Sequence, residues 1–314
     1  MRAVGEFVLV DALPDAVVVL FAAVTHFADP WFLFGLLACC YWFGDERLAS
    51  YPRHAGATAI ALVTCGYAGV ALGKALFAAP RPVSAAGPAD VPAWLPDLLA
   101  VWFETQVVTD GFGFPSGHAT GAVVTYLGLA LVCDRLWRPR QRLLAAGGVA
   151  AAVGLSRVAI EVHYLVDVVA GAGLGGAVVI GGLWLAGDDR IGRRRPWVLS
   201  ESAGPLDPSR VFLLAAGVSA VAGVVALAGG HADEVVEAGI GVGTGIGGAV
   251  GWLAVDGEEP AVSWRVAVPA LAATGLLWVG AFSLAGGIAG ATLATSVAVV
   301  VVIALPGLAA RLDE

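Results

Sequence analysis

Long uncharged apolar segments are the feature that most constrains this chain. The segments at 54–73 (HAGATAIALVTCGYAGVALG) and 294–310 (ATSVAVVVVIALPGLAA) hold no acidic or basic residue apart from one histidine, and they approach the roughly 20 residues that an α-helix needs to cross a bilayer core. Only 13% of the 314 residues are charged, about half of the roughly 25% that is usual in soluble domains. The sequence therefore predicts an all-α, polytopic transmembrane helical bundle.

The apolar segments and their breaks predict about nine membrane helices. Residues 14–27 are too short to cross the bilayer comfortably and carry charge at both ends, which favours an interfacial or re-entrant helix and leaves a tenth span open. The nine helices are predicted near residues 30–44, 54–77, 116–134, 141–160, 163–186, 210–230, 235–255, 264–284 and 287–309.

A polar, proline-bearing segment at 187–209 divides the chain. We interpret it as a linker between an amino-terminal membrane domain, residues 1–186, and a unit of four further membrane helices, residues 210–314. In the second unit, glycine recurs at every fourth position from 239 to 251. That spacing predicts close packing against a neighbouring helix, and we favour it over nucleotide binding. The sequence indicates no chemistry for residues 210–314.

Arginine-rich loops predict the orientation in the membrane. The segments at 134–142 (DRLWRPRQR) and 188–196 (DDRIGRRRP) are strongly basic, whereas 83–113 holds four acidic residues and no basic one. Because cytoplasmic loops collect Lys and Arg, we expect residues 78–115 and the turn at 157–163 to lie outside the cell membrane. The net charge of −8 argues against a nucleic-acid partner.

The only lysine of the chain, Lys74, lies at the end of an apolar segment, and two arginines belong to the same predicted membrane face. Ionisable side chains close to hydrocarbon are costly and are functional candidates by default. The three cations Lys74, Arg81 and Arg157 require an anion, and a phosphate group offers several acceptor oxygens for them.

The segment FPSGHAT at 114–120 is typical of a helix start. Ser116 suits the N-cap position, and Gly117 lets the backbone approach a ligand closely. Free backbone N–H groups at such a start favour an anion. His118 is then expected in the first turn, beside the bound group.

His163 and Asp167 are four residues apart, so on a helix they share one face. The carboxylate can hold one ring nitrogen as N–H and leave the other free to attack phosphorus. His118 can then protonate the departing oxygen.

Three blocks together resemble the signature of the type 2 phosphatidic acid phosphatase superfamily: KALFAAPRP (74–82), PSGH (115–118) and SRVAIEVHYLVD (156–167). The resemblance covers roughly residues 12–186. It implies that residues 1–186 form a catalytic membrane domain of a metal-independent lipid phosphatase that uses no cofactor. By this resemblance, His163 forms a phosphohistidine, Asp167 orients it and His118 protonates the leaving group, while Lys74, Arg81 and Arg157 hold the phosphoryl oxygens with help from Ser116 and Gly117.

Several alternatives remain open at this point. His163 and Asp167 with Glu161 nearby have the spacing of a zinc site, although three neighbouring cations disfavour a metal. A phosphotransferase on the same scaffold and, in another class, a transporter or channel are the competing functions. The expected partners are membrane lipids and a lipid phosphate: a phosphatidate-like lipid, a glycerophosphate-type lipid phosphate, or a polyprenyl phosphate or diphosphate. His26, His54 and His231 are predicted to be structural.

Overall fold

The computed structural model describes residues 3–187, 205–255, 262–284 and 287–312. In these ranges the protein is all-helical, as predicted, and short 3₁₀ turns at Thr25–Ala28 and Val83–Ala86 join some of the helices. The twelve helices described are α1 (Glu6–Val10), α2 (Asp15–Val24), α3 (Pro30–Phe43), α4 (Pro52–Phe77), α5 (Asp97–Val107), α6 (Gly117–Val132), α7 (Pro139–Ala159), α8 (Leu165–Ala186), α9 (Ser209–Gly229), α10 (Ala232–Val255), α11 (Trp264–Leu284) and α12 (Ile288–Leu312).

A helix is present at each of the nine predicted positions, but fewer of them span a membrane on their own. In the described part of the chain, six helices are long and apolar enough: α4, α7, α8, α9, α10 and most of α12. The apolar parts of α3, α6 and α11 are shorter than the roughly 20 residues required. Asp15–Ala28 and α3 together form a seventh candidate, bent by 47° at the break between them. These spans support a multi-pass membrane protein.

Helix α4 runs through the middle of the bundle. It packs against α3, α6, α8, α9 and α10, and residues such as Ala57 and Leu62 are completely buried. Much of its buried surface is Ala or Gly, which lets neighbouring helix backbones come close. The last turn of α4 carries Lys74.

Glycines of α10 face α12, as the four-residue spacing predicted. A Cβ atom on Gly243 would lie 2.3 Å from the carbonyl oxygen of Thr292, and one on Gly247 would lie 2.4 Å from that of Ser296. Real Cβ atoms do not approach so closely, so a side chain at either position would force the helices apart. The glycines therefore serve helix packing.

The amino-terminal domain and the carboxyl-terminal unit share one hydrophobic core. Tyr41 Oη donates to the carbonyl of Ile303 at 2.6 Å, and Trp42 Nε1 donates to that of Val302 at 3.0 Å.

Most of the predicted linker, residues 188–204, lies outside the described residues, and so does the basic segment 188–196 that was used for orientation.

Candidate active site

A cavity of about 390 Å³ lies where the carboxyl ends of α4 and α7 meet the amino ends of α6, α8 and α10. Both membrane units contribute to its wall. Six of the eight predicted site residues line it: Lys74, Arg81, Gly117, His118, Arg157 and His163.

His163 lies in the short turn between α7 and α8 and is only 2% exposed. Its Nε2 is 3.1 Å from Arg81 Nη1. Because a guanidinium only donates hydrogen bonds, Nε2 accepts, and the proton of the neutral ring lies on Nδ1. The lone pair of Nε2 is therefore directed toward the arginine in the cavity wall.

Asp167 lies behind His163 and is fully buried. Its Oδ2 accepts a hydrogen bond from the backbone N–H of Tyr164 at 3.1 Å and is 3.6 Å from His163 Nδ1. That distance exceeds a normal hydrogen bond. The histidine and the carboxylate are thus adjacent but not hydrogen-bonded. The helix predicted to carry both residues begins at Leu165, so His163 lies in the turn before it and not on the same helical face as Asp167.

Burial is the largest influence on the protonation of His163, and it places the pKa well below the usual value near 6.5. The positive charges of Arg81 and Arg157 lower this pKa further. His163 is therefore a neutral imidazole at pH 7, the form that has a lone pair for nucleophilic attack.

His118 forms a second histidine–carboxylate pair, with Asp29. Nε2 of His118 is 3.0 Å from Asp29 Oδ1, and Asp29 lies at the bend between the Thr25–Ala28 turn and α3. The pair fixes the ring of His118 and leaves Nδ1 as the nitrogen for other contacts.

Asp29 is itself held by two further residues. Nδ1 of His26 is 2.5 Å from its Oδ2, and Trp31 Nε1 donates to the same oxygen at 3.0 Å. The indole N–H of Trp102 donates to His26 Nε2 at 2.9 Å, so the proton of a neutral His26 lies on Nδ1 and points to Asp29. These contacts give His26 a structural role.

The three predicted cations have different partners. Arg81 Nε donates to the carbonyl of Asp110 at 2.8 Å. Arg157 is 5% exposed, and its Nη1 bonds Thr25 Oγ1. Lys74 Nζ is 3.2 Å from Glu237 Oε2 on α10. All three cationic groups nevertheless border the same cavity.

Comparison with known proteins matches part of the chain to a family: residues 54–191 fit the model of the PAP2 superfamily. This region is similar to PAP2 proteins. The match confirms the resemblance carried by the three sequence blocks. A similar solved structure is the crystal structure of the first transmembrane PAP2 type phosphatidylglycerolphosphate phosphatase from Bacillus subtilis, with a TM-score of 0.47 and 20% identity over 60% of this chain and 85% of that chain. No curated protein matches the sequence.

Within the PAP2-matched region, Ser116 joins α6 to α8 and does not line the cavity. Its hydroxyl caps α6 by accepting from the N–H of Ala119 at 3.4 Å, and its own N–H donates to the carbonyl of Asp167 at 3.0 Å. A Cβ on Gly171 would lie 2.5 Å from the Ser116 carbonyl oxygen, so only glycine allows this approach. Gly117, the next residue, does border the cavity.

Part of the wall lies outside the PAP2-matched region. Helices α9 and α10 supply Ser219, Glu237, Ile240, Gly241 and Thr244. The sequence indicated no chemistry there, and the contact between Glu237 and Lys74 joins residues 163 positions apart, which a sequence pattern does not reveal. In the ranges that the structure describes, no group of three His, Cys, Asp or Glu side chains is arranged to hold a metal ion.

Proposed function

We propose that the protein is an integral membrane phosphatase that hydrolyses lipid phosphates through a phosphohistidine at the extracytoplasmic face, without a metal ion. The observation that carries this proposal is the placement of His163 and His118 around one cavity with three cationic side chains. The PAP2 match of residues 54–191 supports the same class of reaction.

In the first step, a phosphoryl oxygen of the substrate takes the place of His163 as a hydrogen-bond partner of Arg81. The freed Nε2 of His163 then forms a bond to phosphorus while the bond from phosphorus to the alcohol oxygen breaks. Burial and the charge of Arg157 lower the pKa of His118 to about 4 in the free protein, so His118 takes up a proton when the anionic phosphate binds. It then gives the proton on Nδ1 to the alcohol oxygen, and the leaving group departs as a neutral alcohol. The phosphorylated ring gains positive charge, and Asp167 stabilises it once Nδ1–H closes the 3.6 Å gap.

In the second step, water attacks the phosphorus of the phosphohistidine. His118, neutral after the first step, accepts the water proton, and the P–N bond breaks to release inorganic phosphate and the free imidazole. Lys74, Arg81 and Arg157 stabilise the charge on the phosphoryl oxygens in both transition states, and such prearranged charge is often the largest contribution to catalysis.

The topology supports an outward-facing site. Helix α6 begins at the cavity with Gly117 and His118, and α7 returns to it with Arg157. The basic segment 134–142 starts in the loop between these helices, so it lies at the opposite end of the bundle. With arginine-rich loops in the cytoplasm, the cavity faces outside.

The proposed function is tested by presenting purified protein in detergent with phosphatidate, lysophosphatidate, and polyprenyl mono- and diphosphates in the presence of a chelator. We expect release of inorganic phosphate from at least one of these lipids at the same rate with and without chelator. Activity that appears only after zinc or magnesium is added contradicts the metal-free mechanism, and the absence of hydrolysis under all conditions contradicts the phosphatase function.

Replacing Glu237 by glutamine is expected to lower KM for the lipid phosphate and leave kcat nearly unchanged. Glu237 competes with the substrate for Lys74, and the ion pair is half-exposed on the glutamate side. Such a pair contributes at most about 1 kcal/mol, so KM should fall by no more than about 5-fold. Steady-state kinetics at low ionic strength measure the effect. A higher KM in Glu237→Gln would show instead that the carboxylate helps to bind the substrate.

A further inference from the structure

A chain of hydrogen bonds connects helix α5 to His118, and it carries an inference that rests on the proposed function. We propose that Trp102 on α5 is a positioning residue for His118, the proposed general acid. Trp102 acts through His26 and Asp29. Its effect is to keep Nδ1 of the His118 ring directed toward the leaving group.

The chain begins at the indole of Trp102. Its Nε1–H donates to Nε2 of His26 at 2.9 Å, so this nitrogen keeps its lone pair and the ring proton of His26 lies on Nδ1. A proton on Nε2 would place two N–H groups against each other, and two donors do not form a hydrogen bond. Trp102 therefore selects one tautomer of His26.

Asp29 transmits this selection to His118. Nδ1 of His26 is 2.5 Å from Oδ2 of Asp29, whereas Nε2 of His118 is 3.0 Å from Oδ1. A carboxylate only accepts hydrogen bonds, so each imidazole donates to one of the two oxygens. With Oδ2 bound by His26, Asp29 presents Oδ1 to His118. The proton on Nε2 of His118 is then directed to Asp29, and Nδ1 is left for the substrate.

The packing around Trp102 fixes the start of the chain. Trp102 packs against the apolar cluster that contains Ala22 of α2 together with Ile160 and Val162. Val162 directly precedes His163 in the sequence. The cluster next to α5 therefore supports the turn that carries the proposed nucleophile as well as the chain that ends at the proposed general acid.

The chain also crosses the boundary of the PAP2-matched region. Trp102 lies inside residues 54–191, whereas its partner His26 is 76 positions earlier and precedes that region, as does Asp29. The three signature blocks contain none of these residues. This positioning device is therefore a feature of the fold that the signature does not include.

The test compares kcat/KM in the wild type and in Trp102→Phe, which keeps an aromatic ring and removes the N–H. One substrate is whichever of phosphatidate, lysophosphatidate and polyprenyl phosphate is hydrolysed fastest, and the other is p-nitrophenyl phosphate. Loss of one hydrogen bond should lower kcat/KM for the lipid by about 3- to 10-fold. The value for p-nitrophenyl phosphate should stay within about 2-fold, because p-nitrophenolate departs without a proton. Equal losses on both substrates, or no loss on the lipid in a folded variant, overturn the inference.

A double-mutant cycle shows whether Trp102 acts through His118. In the His118→Ala background, Trp102→Phe should change kcat/KM for the same lipid by less than about 2-fold, because the side chain that it positions is absent. If the losses of the two single variants multiply instead, Trp102 acts independently of His118, and the inference is wrong.

Two further variants keep the test decisive. Trp94→Phe is the matched control, because Trp94 precedes α5 in the same segment and is 56% exposed; it should change neither value. His26→Gln removes the donor to Asp29 at the next position of the chain. It should give the same selective loss on the lipid, and it carries the test if Trp102→Phe does not fold. Any overturning result in an active wild type leaves the phosphatase function in place, whereas a wild type that hydrolyses no lipid phosphate refutes the proposed function itself.

Discussion

Replacing His163 by alanine is expected to abolish phosphate release from lipid phosphates. The variant loses the imidazole that we propose as the nucleophile, so the covalent intermediate cannot form on that residue. Removal of a nucleophile in comparable catalytic units lowers kcat on the order of 10⁴- to 10⁶-fold. Release of inorganic phosphate from the preferred lipid in detergent measures the loss.

His54 provides a matched histidine control. It lies at the opposite end of α4, about 30 Å along the helix from Lys74, and its Nδ1 is 2.6 Å from the carbonyl of Leu206. We expect His54→Ala to lose some thermal stability and to keep its activity per folded molecule. If His163→Ala, shown to be folded by size-exclusion chromatography, retained a tenth of wild-type activity, His163 would not be the nucleophile.

Replacing His118 by alanine is expected to give the second largest effect, a loss of about 10²- to 10⁴-fold on lipid substrates. The size should depend on the leaving group. An alkoxide of a lipid alcohol is strongly basic and needs a proton as it departs, whereas p-nitrophenolate does not. The loss in kcat/KM, which reports the steps up to departure of the leaving group, should therefore be much smaller with p-nitrophenyl phosphate. Parallel measurements of kcat/KM for both substrates show the difference.

Asp29→Asn is the companion variant for His118. It keeps the shape of the side chain that holds His118 Nε2 at 3.0 Å and removes the negative charge that favours a protonated ring. We expect a smaller loss than in His118→Ala, with the same dependence on the leaving group. Equal losses on both substrates in His118→Ala would contradict a general-acid role and indicate that His118 only binds or positions the phosphate.

The sequence predicted six residues of the cavity wall, including both of its histidines and its three cations. Ser116 precedes a helix, as predicted. His163 lies in the turn before α8 and only Asp167 is on that helix, so the spacing indicated that the two residues are close but not the local geometry. The spacing does not reveal which side chains from distant helices contact these residues. Asp29 and Glu237 reach the site only through tertiary packing, although an acid at Asp29–Pro30 between two apolar segments was a signal that could have been followed.

The sequence predicted the positions of the long helices well, but it predicted less well which of them span the membrane. Apolar runs located each long helix, but they did not indicate that the chain bends by 47° at Asp29. The bend brings the carboxylate to His118, so the irregular geometry serves the site. Similarly, the glycine spacing in α10 predicted close packing, whereas the contact of α10 with α4 depended on how the two membrane units associate.

The most direct test of the account is to trap the covalent intermediate. Wild-type protein is mixed with a lipid phosphate, quenched rapidly under alkaline conditions that preserve phosphohistidine, digested, and analysed by mass spectrometry. The account predicts one phosphoryl group on the imidazole of His163 in the wild type and none in His163→Ala. Phosphoryl transfer to another residue, or turnover of lipid phosphate by a folded His163→Ala variant, would contradict it.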